Sequence, residues 1–168
     1  MQTSYDKKLE EAKDITEIFN IVKELVRKFL GRERNGLTLG LAELGGMPGQ
    51  FVGAFHPIGS NLIVLNKTPL RVIEATKSKF LFKAYLFHLL LYEYIHTIGI
   101  LDERATRIVT HKICESAFGS GHPVAIISRD FSSVFPEVIL ASINWVPKNF
   151  EKIEIVQDLD KENLNYFG

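Results

Sequence analysis

The stretch from Phe80 to Ile98 constrains the fold of this chain more than any other part of its sequence. It is apolar around nearly the whole circumference of a helix and rich in Leu and aromatic residues, which is typical of a helix packed between two layers of structure. Polar residues interrupt it at Lys83, His88, Glu93 and His96. Because each of these side chains would be costly in hydrocarbon, we predict a buried central helix and not a membrane span.

A second helix is predicted near the start of the chain. Asp14 followed by Glu17 resembles a capping box, and apolar residues then recur at helical spacing from Ile15 to Leu30. Gly31 is the expected end, because glycine is common just beyond a helix C-terminus. This helix has one apolar face to bury.

Short apolar runs between the two helices predict strands. The runs are Leu37 to Leu44, Gln50 to Phe55 and Asn61 to Leu65. The turn-rich segments GGMPG and HPIGS separate them, as expected between neighbouring strands. We therefore predict three antiparallel strands, followed by a return to helix at Asn66 to Pro69.

Capping residues mark the elements that follow the central helix. Gly99 should end that helix, and Asp102 is placed to cap a helix over Glu103 to Phe118. The pair His122-Pro123 predicts a short helix after it, and the stretch from Pro136 to Trp145 predicts another. Two helices are thus expected to meet at a tight corner around Gly99.

No repeat, low-complexity tract or linker divides the sequence, so residues 1–168 are predicted to form one domain. The predicted fold class is α+β, with a small, mainly antiparallel sheet packed against the central helix and further helices. Residues 148–168 stay open between a docked element and a tail, and the run IEIV within them is long enough to add a strand.

The composition excludes several classes of function. Lys and Arg number 20 and Asp and Glu also 20, so there is no basic excess to attract nucleic acid or an anionic membrane. A single cysteine cannot form an internal disulfide, and the charged start lacks the apolar core of a secretory signal, which favours a cytoplasmic protein. Many Lys, Glu and Ile beside few Gln and Met are also typical of thermophilic proteins.

The candidate chemistry lies at the corner around Gly99. Residues 92 and 96 are one turn apart on the same side of a helix, where two imidazoles would share one zinc and residue 93 would activate a bound water. Gly99 lets the chain turn back, so that Asp102 can offer a further ligand. The sequence there is Tyr92-Glu93-x-x-His96-x-x-Gly99-x-x-Asp102. It resembles the zincin metallopeptidases, whose motif is HExxHxxGxxH or HExxHxxGxxD, and in particular the small, minimal zincins.

The resemblance implies a zincin-like fold, a role for Glu93 as general base, and zinc bound by His96 and Asp102. Tyr92 stands where the first histidine ligand of the motif would be. A phenol, with an ordinary pKa near 10, is a poor zinc ligand near neutral pH. The resemblance therefore implies a degenerate metal site, in which zinc is doubtful.

Other histidines are candidates for the missing ligand. His88 is eight residues before His96, about 12 Å along the helix axis, and is too far away to share an ion with it. His111 and His122 lie beyond the corner, and either could fold back towards His96 and Asp102. The sequence leaves this open, together with a softer metal or none.

Each motif residue also has an interpretation without metal. His96 would then be a core histidine bonded to a carbonyl at the corner, and Asp102 a helix cap. Glu93 in an apolar helix needs a partner, for which Arg104 or Arg107 is available; without one its pKa should be raised.

The leading hypothesis is a zincin-like protein with impaired catalysis that binds a peptide or protein. In minimal zincins the strand before the motif helix, here NLIVLN, would be a sheet edge that holds an extended peptide. The alternatives are an active zinc peptidase that uses Glu93 with His96, Asp102 and either His111 or His122, and a structural or homo-oligomeric module.

Overall fold

The computed structural model describes residues 3–44, 52–142 and 153–159. The strands in these ranges are β1 Thr38–Ala42, β2 Ala54–Phe55, β3 Leu62–Asn66 and β4 Glu154–Asp158. The helices are α1 Ser4–Glu11, α2 Ile15–Leu30, α3 Lys67–Thr76, α4 Lys79–Thr97, α5 Glu103–Phe118, α6 Pro123–Arg129, α7 Phe131–Val134 and α8 Pro136–Ser142. The fold is therefore α+β with a small mixed sheet.

The predicted helix ends are confirmed by the caps that form them. Asp14 Oδ1 accepts a hydrogen bond from Glu17 N at 2.8 Å and begins α2, and Gly31 ends it with a positive φ of 66°. Helices α1 and α7 were not predicted. The charged segment before Asp14 forms α1, whose cap is Thr3. The predicted return to helix at Asn66 to Pro69 is confirmed, because α3 begins directly after Asn66, whose side chain accepts from Thr68 N.

Helix α4 is the centre of the fold, as its sequence predicts. It contacts α1, α2, α3, α5 and α6, and it also contacts the strands β2 and β3. Most of its side chains are buried, among them Tyr85, Phe87 and Leu90, which have no exposed surface. Among the described residues no helix is long and apolar enough to cross a bilayer.

The sheet has the order β2-β3-β1-β4, which corrects two predictions. Strands β1 and β3 are parallel, with Leu39 opposite Ile63, whereas three antiparallel strands were expected. The chain leaves β1, runs along the outer side of β3 as β2, and only then returns as β3, antiparallel to β2. For the same reason the strand in NLIVLN lies inside the sheet, so the prediction that it forms an edge is wrong.

The two faces of the sheet bury different clusters. Ile63 and Leu65 of β3 point into the main core with the helices, whereas Val64 between them joins a second cluster with Ala42 and Leu44. This alternation is the two-residue period of a strand. Because one face of the sheet packs on the helices, a shift of β3 by one residue would move its buried side chains to the other face. The packing on the helices therefore fixes the register of the strand.

The later predictions are confirmed where the structure describes them. The run IEIV forms part of β4, which pairs antiparallel with β1, so this part of residues 148–168 is docked and is not a tail. Other predicted segments lie outside the described residues: Gln50 and Phe51 of the second strand, residues 143–145 of the last helix, and residues 160–168.

Candidate functional site

The corner between α4 and α5 forms as the sequence predicts. The N–H of Ile98 donates to Tyr94 O and that of Gly99 to His96 O, which closes the end of α4. Gly99 has a φ of 105°, a region that favours glycine because it lacks a Cβ. The next helix therefore starts only a few residues later, close to the end of α4.

Asp102 caps α5. Its Oδ2 accepts a hydrogen bond from Ala105 N at 2.8 Å, and the residue is exposed. It does not line the cavity that contains Glu93 and His96. Asp102 is therefore a helix cap, as the interpretation without metal predicts. The resemblance implied that its carboxylate lies at the site with His96, and in the structure it does not.

A cavity of about 200 Å³ lies beside the corner and contains two of the predicted site residues. We call it the motif cavity. Edge strand β2 and the turn after it form one wall, and the ends of α4 and α5 form the other. It is lined by Ala54, Phe55, His56, Ile58, Glu93, His96, Leu101 and Glu103.

His96 is held in one orientation by both of its ring nitrogens. Nδ1 donates to the carbonyl oxygen of Ile100 at 2.8 Å, since a carbonyl only accepts, and this confirms the predicted bond at the corner. Nε2 lies 3.4 Å from Oε1 of Glu103. The His96 side chain is 11% exposed, so the imidazole is accessible mainly through the cavity.

Glu103 is the carboxylate that faces His96, and it also binds Tyr92. The Tyr92 hydroxyl donates to Oε2 of Glu103, and the Tyr92 ring meets the His96 ring edge-on at 5.0 Å between centroids. Burial, together with this bond to Glu103, raises the pKa of Tyr92 above its ordinary value. Tyr92 is therefore a neutral hydrogen-bond donor, which orients Glu103 and so acts indirectly on His96.

Glu93 lies in the cavity wall with only 5% of its surface exposed. Among the described residues its carboxyl makes no hydrogen bond or ion pair, so the expected pairing with Arg104 or Arg107 is wrong. Burial, and to a smaller degree the charge of Glu103, raises the pKa of Glu93 to about 8. This is the alternative outcome that the sequence predicted, and it makes Glu93 a neutral acid at neutral pH.

The two histidines proposed as substitute ligands are bonded elsewhere. His111 Nδ1 lies 2.9 Å from Ser128 Oγ, and its Nε2 lies 2.9 Å from Glu115 Oε2. His122 Nε2 lies 2.7 Å from Oδ1 of Asp6, which is a residue of α1. Neither residue lines the motif cavity, so neither completes a site with His96 in this structure.

The donor atoms around His96 do not fit the zinc site that the resemblance implies. Within the described ranges no group of three or more His, Cys, Asp and Glu side chains is arranged to hold a metal ion. Nε2 of His96 and one oxygen of Glu103 are close together, whereas the phenol of Tyr92 is engaged with Glu103 and Asp102 with its helix. We therefore assign no chemical step to zinc.

Six residues of the motif cavity were missed as site residues by sequence reasoning: Ala54, Phe55, His56, Ile58, Leu101 and Glu103. His56 and Ile58 belong to the segment HPIGS, which was interpreted only as a turn. Glu103 is adjacent to the predicted ligand Asp102, but the turn at Gly99 breaks the helical spacing that would relate it to residue 96. A search for acidic side chains in the first turn of α5 would have found it.

Comparisons of the chain with protein-family models, with curated proteins and with solved structures found no match. The resemblance to zincins therefore rests on the motif, whose helix α4 comes after the first three strands, with α3 between β3 and α4.

Proposed function

We propose that this protein binds an extended peptide in the motif cavity, along the outer side of β2, and that it is a zincin-like protein with impaired catalysis. The observation that carries the proposal is the combination of a strand edge that is unpaired in the described part of the sheet, exposed apolar side chains and a buried neutral acid at one cavity. Each of these features suits a different part of a peptide.

The strand edge suits the peptide main chain. In the described part of the sheet β2 pairs on one side only, with β3. Asn66 N donates to Gly53 O at 2.9 Å, so the alternation of an antiparallel pair directs the N–H and C=O of Ala54 away from β3. These groups are in the correct position to bond an added strand.

The rim of the cavity suits apolar side chains of a peptide. Ile58 is 81% exposed and Leu101 is 53% exposed, on opposite walls of the motif cavity. Exposed apolar groups grouped beside a concave polar site are typical of interaction surfaces. Burial of such a side chain stabilises a complex by roughly 1.5 to 3 kcal/mol.

The polar groups of the cavity suit a peptide carbonyl. Because Glu93 is protonated at neutral pH, its carboxyl can donate a hydrogen bond, which a carboxylate cannot. His96 and Glu103 hold each other beside it. A peptidase needs a polarised carbonyl and an activated water, and the neutral Glu93 does not act as a base at this pH.

The test compares two exposed isoleucines of the sheet region. Wild-type protein labelled with nitrogen-15 is titrated with a library of capped octapeptides, and the amides of Ala54 and His56 are followed. We expect Ile58→Ser to weaken the binding of responsive peptides by about tenfold, as expected for the loss of one buried apolar contact. Ile155→Ser serves as the matched control, because Ile155 is 59% exposed on β4 at the opposite edge.

Ala54→Pro tests the main-chain part of the proposal. Proline removes an N–H that points away from β3, so the pairing of β2 with β3 is retained while strand addition is blocked. The proposal fails if no peptide perturbs Ala54 and His56, or if Ile58→Ser and Ile155→Ser behave alike. The first result would favour a structural module.

A further inference from the structure

A second, larger cavity lies on the other side of the bond between Tyr92 and Glu103. Its volume is about 520 Å³, within the range of small-molecule sites, and it is enclosed by α4, α5, α6, α7 and α8. We call it the arginine cavity, after Arg107 and Arg129, which line it. Glu103 lines both cavities. The zincin motif does not predict this second cavity.

The floor of the arginine cavity carries two buried polar atoms without partners. Thr110 is 1% exposed and its hydroxyl makes no hydrogen bond, and Nδ1 of His88 is likewise buried without a partner. Burial lowers the pKa of His88 to about 4, so the ring is neutral at neutral pH. Both atoms are covered by neighbouring atoms, so a ligand that bonds them must shift the lining side chains. Because buried polar groups are nearly always bonded, such a polar ligand would gain bonds that the free protein lacks.

The mouth of the cavity carries two guanidinium groups. Arg107 and Arg129 are exposed, and in the part of the chain that the structure describes neither guanidinium forms an ion pair or hydrogen bond. The carboxylates nearby are engaged: Glu103 accepts from Tyr92, and Asp130 accepts from the Ser132 hydroxyl at 3.1 Å. Two guanidinium groups without partners at one opening favour an anion.

The wall between mouth and floor is apolar. Ile127 is 1% exposed and Leu89 is 8% exposed, and Phe131 and Ile139 complete this part of the lining. A simple inorganic anion would leave this surface and the floor without contacts. An organic anion would cover them.

We infer that the arginine cavity binds a small organic anion, whose carboxylate or phosphate lies between Arg107 and Arg129, whose apolar body contacts Leu89 and Ile127, and whose far polar end bonds Thr110. This site is separate from the peptide site and does not depend on the function proposed for it. Binding satisfies the Thr110 hydroxyl and the two guanidinium groups together.

The experiment uses four probes and the full chain. Hydrocinnamate carries the anion and the apolar body, its para-hydroxyl derivative phloretate adds the far polar group, and phenyl phosphate replaces the carboxylate. Hydrocinnamyl alcohol, which lacks the charge, is the control. We expect phloretate to bind more tightly than hydrocinnamate and to shift the amide signals of Thr110 and Ile127. We expect no binding of the alcohol. The tighter of the carboxylate and phosphate probes identifies the anionic group.

Variants then locate each contact. Arg107→Gln and Arg129→Gln should each weaken the binding of phloretate by about tenfold, which corresponds to the loss of one charge-assisted hydrogen bond. Arg104→Gln, also exposed on α5 but absent from the lining, is the matched control and should bind as wild type. Thr110→Val should make phloretate and hydrocinnamate bind equally.

Three results with these probes and variants would overturn the inference: no binding of any anionic probe at millimolar concentration, equal binding of the alcohol, or an equal loss in Arg104→Gln and Arg107→Gln. Inorganic phosphate that binds as tightly as phenyl phosphate would also overturn it, because the apolar wall would then contribute nothing.

Discussion

The two cavities on either side of the bond between Tyr92 and Glu103 differ in how their polar groups are satisfied. In the motif cavity His96 and Glu103 have partners, whereas Glu93 has none among the residues that the structure describes. In the arginine cavity both guanidinium groups and the Thr110 hydroxyl lack partners in the described chain. The motif thus marks where the chain turns, whereas the unpartnered groups mark where a ligand would be stabilised most.

The largest expected effect tests whether the motif cavity is one ligand short of a metal site. Tyr92→His should tighten zinc binding by more than about a hundredfold. Loss of a group that only hydrogen-bonds a metal ligand changes metal affinity by about 10- to 100-fold, and this variant adds a ligand itself. The reason is that imidazoles one turn apart would face Glu103, which the lost phenol no longer engages. Zinc is measured by competition with a chromophoric chelator.

Two double variants identify the further ligand of that engineered site. Glu103→Gln in the Tyr92→His background should abolish the gain, because Glu103 faces His96. Asp102→Ser in the same background should keep it, since serine is also a good cap. The opposite pattern, with Asp102 required, would show that the corner rearranges to the arrangement that the zincin motif implies.

A comparably large effect is the pH dependence that Glu93 gives to stability. The unfolded chain loses this proton near pH 4.5, whereas the folded protein keeps it until about pH 8. Because the folded state binds more protons between these values, the free energy of unfolding falls as pH rises through the window, by about 5 kcal/mol in total. Above pH 8 this contribution is constant.

Glu93→Gln should remove that pH dependence, so the variant gains stability over wild type as pH rises. Urea unfolding from about pH 5 to about pH 9 measures the difference. In Glu103→Gln the free energy of unfolding should fall less with rising pH than in wild type, since the charge of Glu103 contributes to the raised pKa of Glu93. Parallel curves for wild type and Glu93→Gln would contradict the burial argument.

A smaller effect is expected for two buried threonines on α5, whose valine variants should change the free energy of unfolding in opposite directions. Thr110→Val should stabilise the protein by about 1 kcal/mol, because it removes a buried hydroxyl without a partner. Thr106→Val should destabilise it by about 1 kcal/mol, because the Thr106 hydroxyl donates to Asp102 O at 2.8 Å. Both residues are buried and one turn apart, so each is the control for the other.

The smallest expected effect concerns the cap of α5. Asp102→Ala should lower the free energy of unfolding by about 0.5 to 1 kcal/mol, and Asp102→Ser should restore most of it, since serine also caps. Chemical denaturation measures both. Equal destabilisation by alanine and serine would mean that the carboxylate has a role beyond the bond to Ala105 N.

Much of the helical structure could be predicted from the sequence, because its signals are local. The ends of α2 at Asp14 and Gly31 and the start of α5 at Asp102 follow from capping preferences that act over three or four residues. The burial of α4 follows from its own apolar circumference. The zincin-like assignment stays a prediction.

The sheet order and the site could be predicted only in part. Glu93 and His96 do line one cavity, but the partner of His96 is Glu103 and not Asp102, and no local pattern distinguishes these two adjacent carboxylates. Likewise, nothing in the apolar run of β3 shows that β1 lies parallel on one side of it and β2 antiparallel on the other.

The sequence by itself determined where α2 and α5 begin and end, and that α4 is buried, because caps and hydrophobic periodicity act between neighbours in the chain. The tertiary structure alone decided that Glu103 faces His96 and that Thr110, whose buried hydroxyl has no partner in the described chain, lines one cavity together with Arg129. Those relations join residues of different elements, and the packing of α4 against its neighbours sets the distances between them.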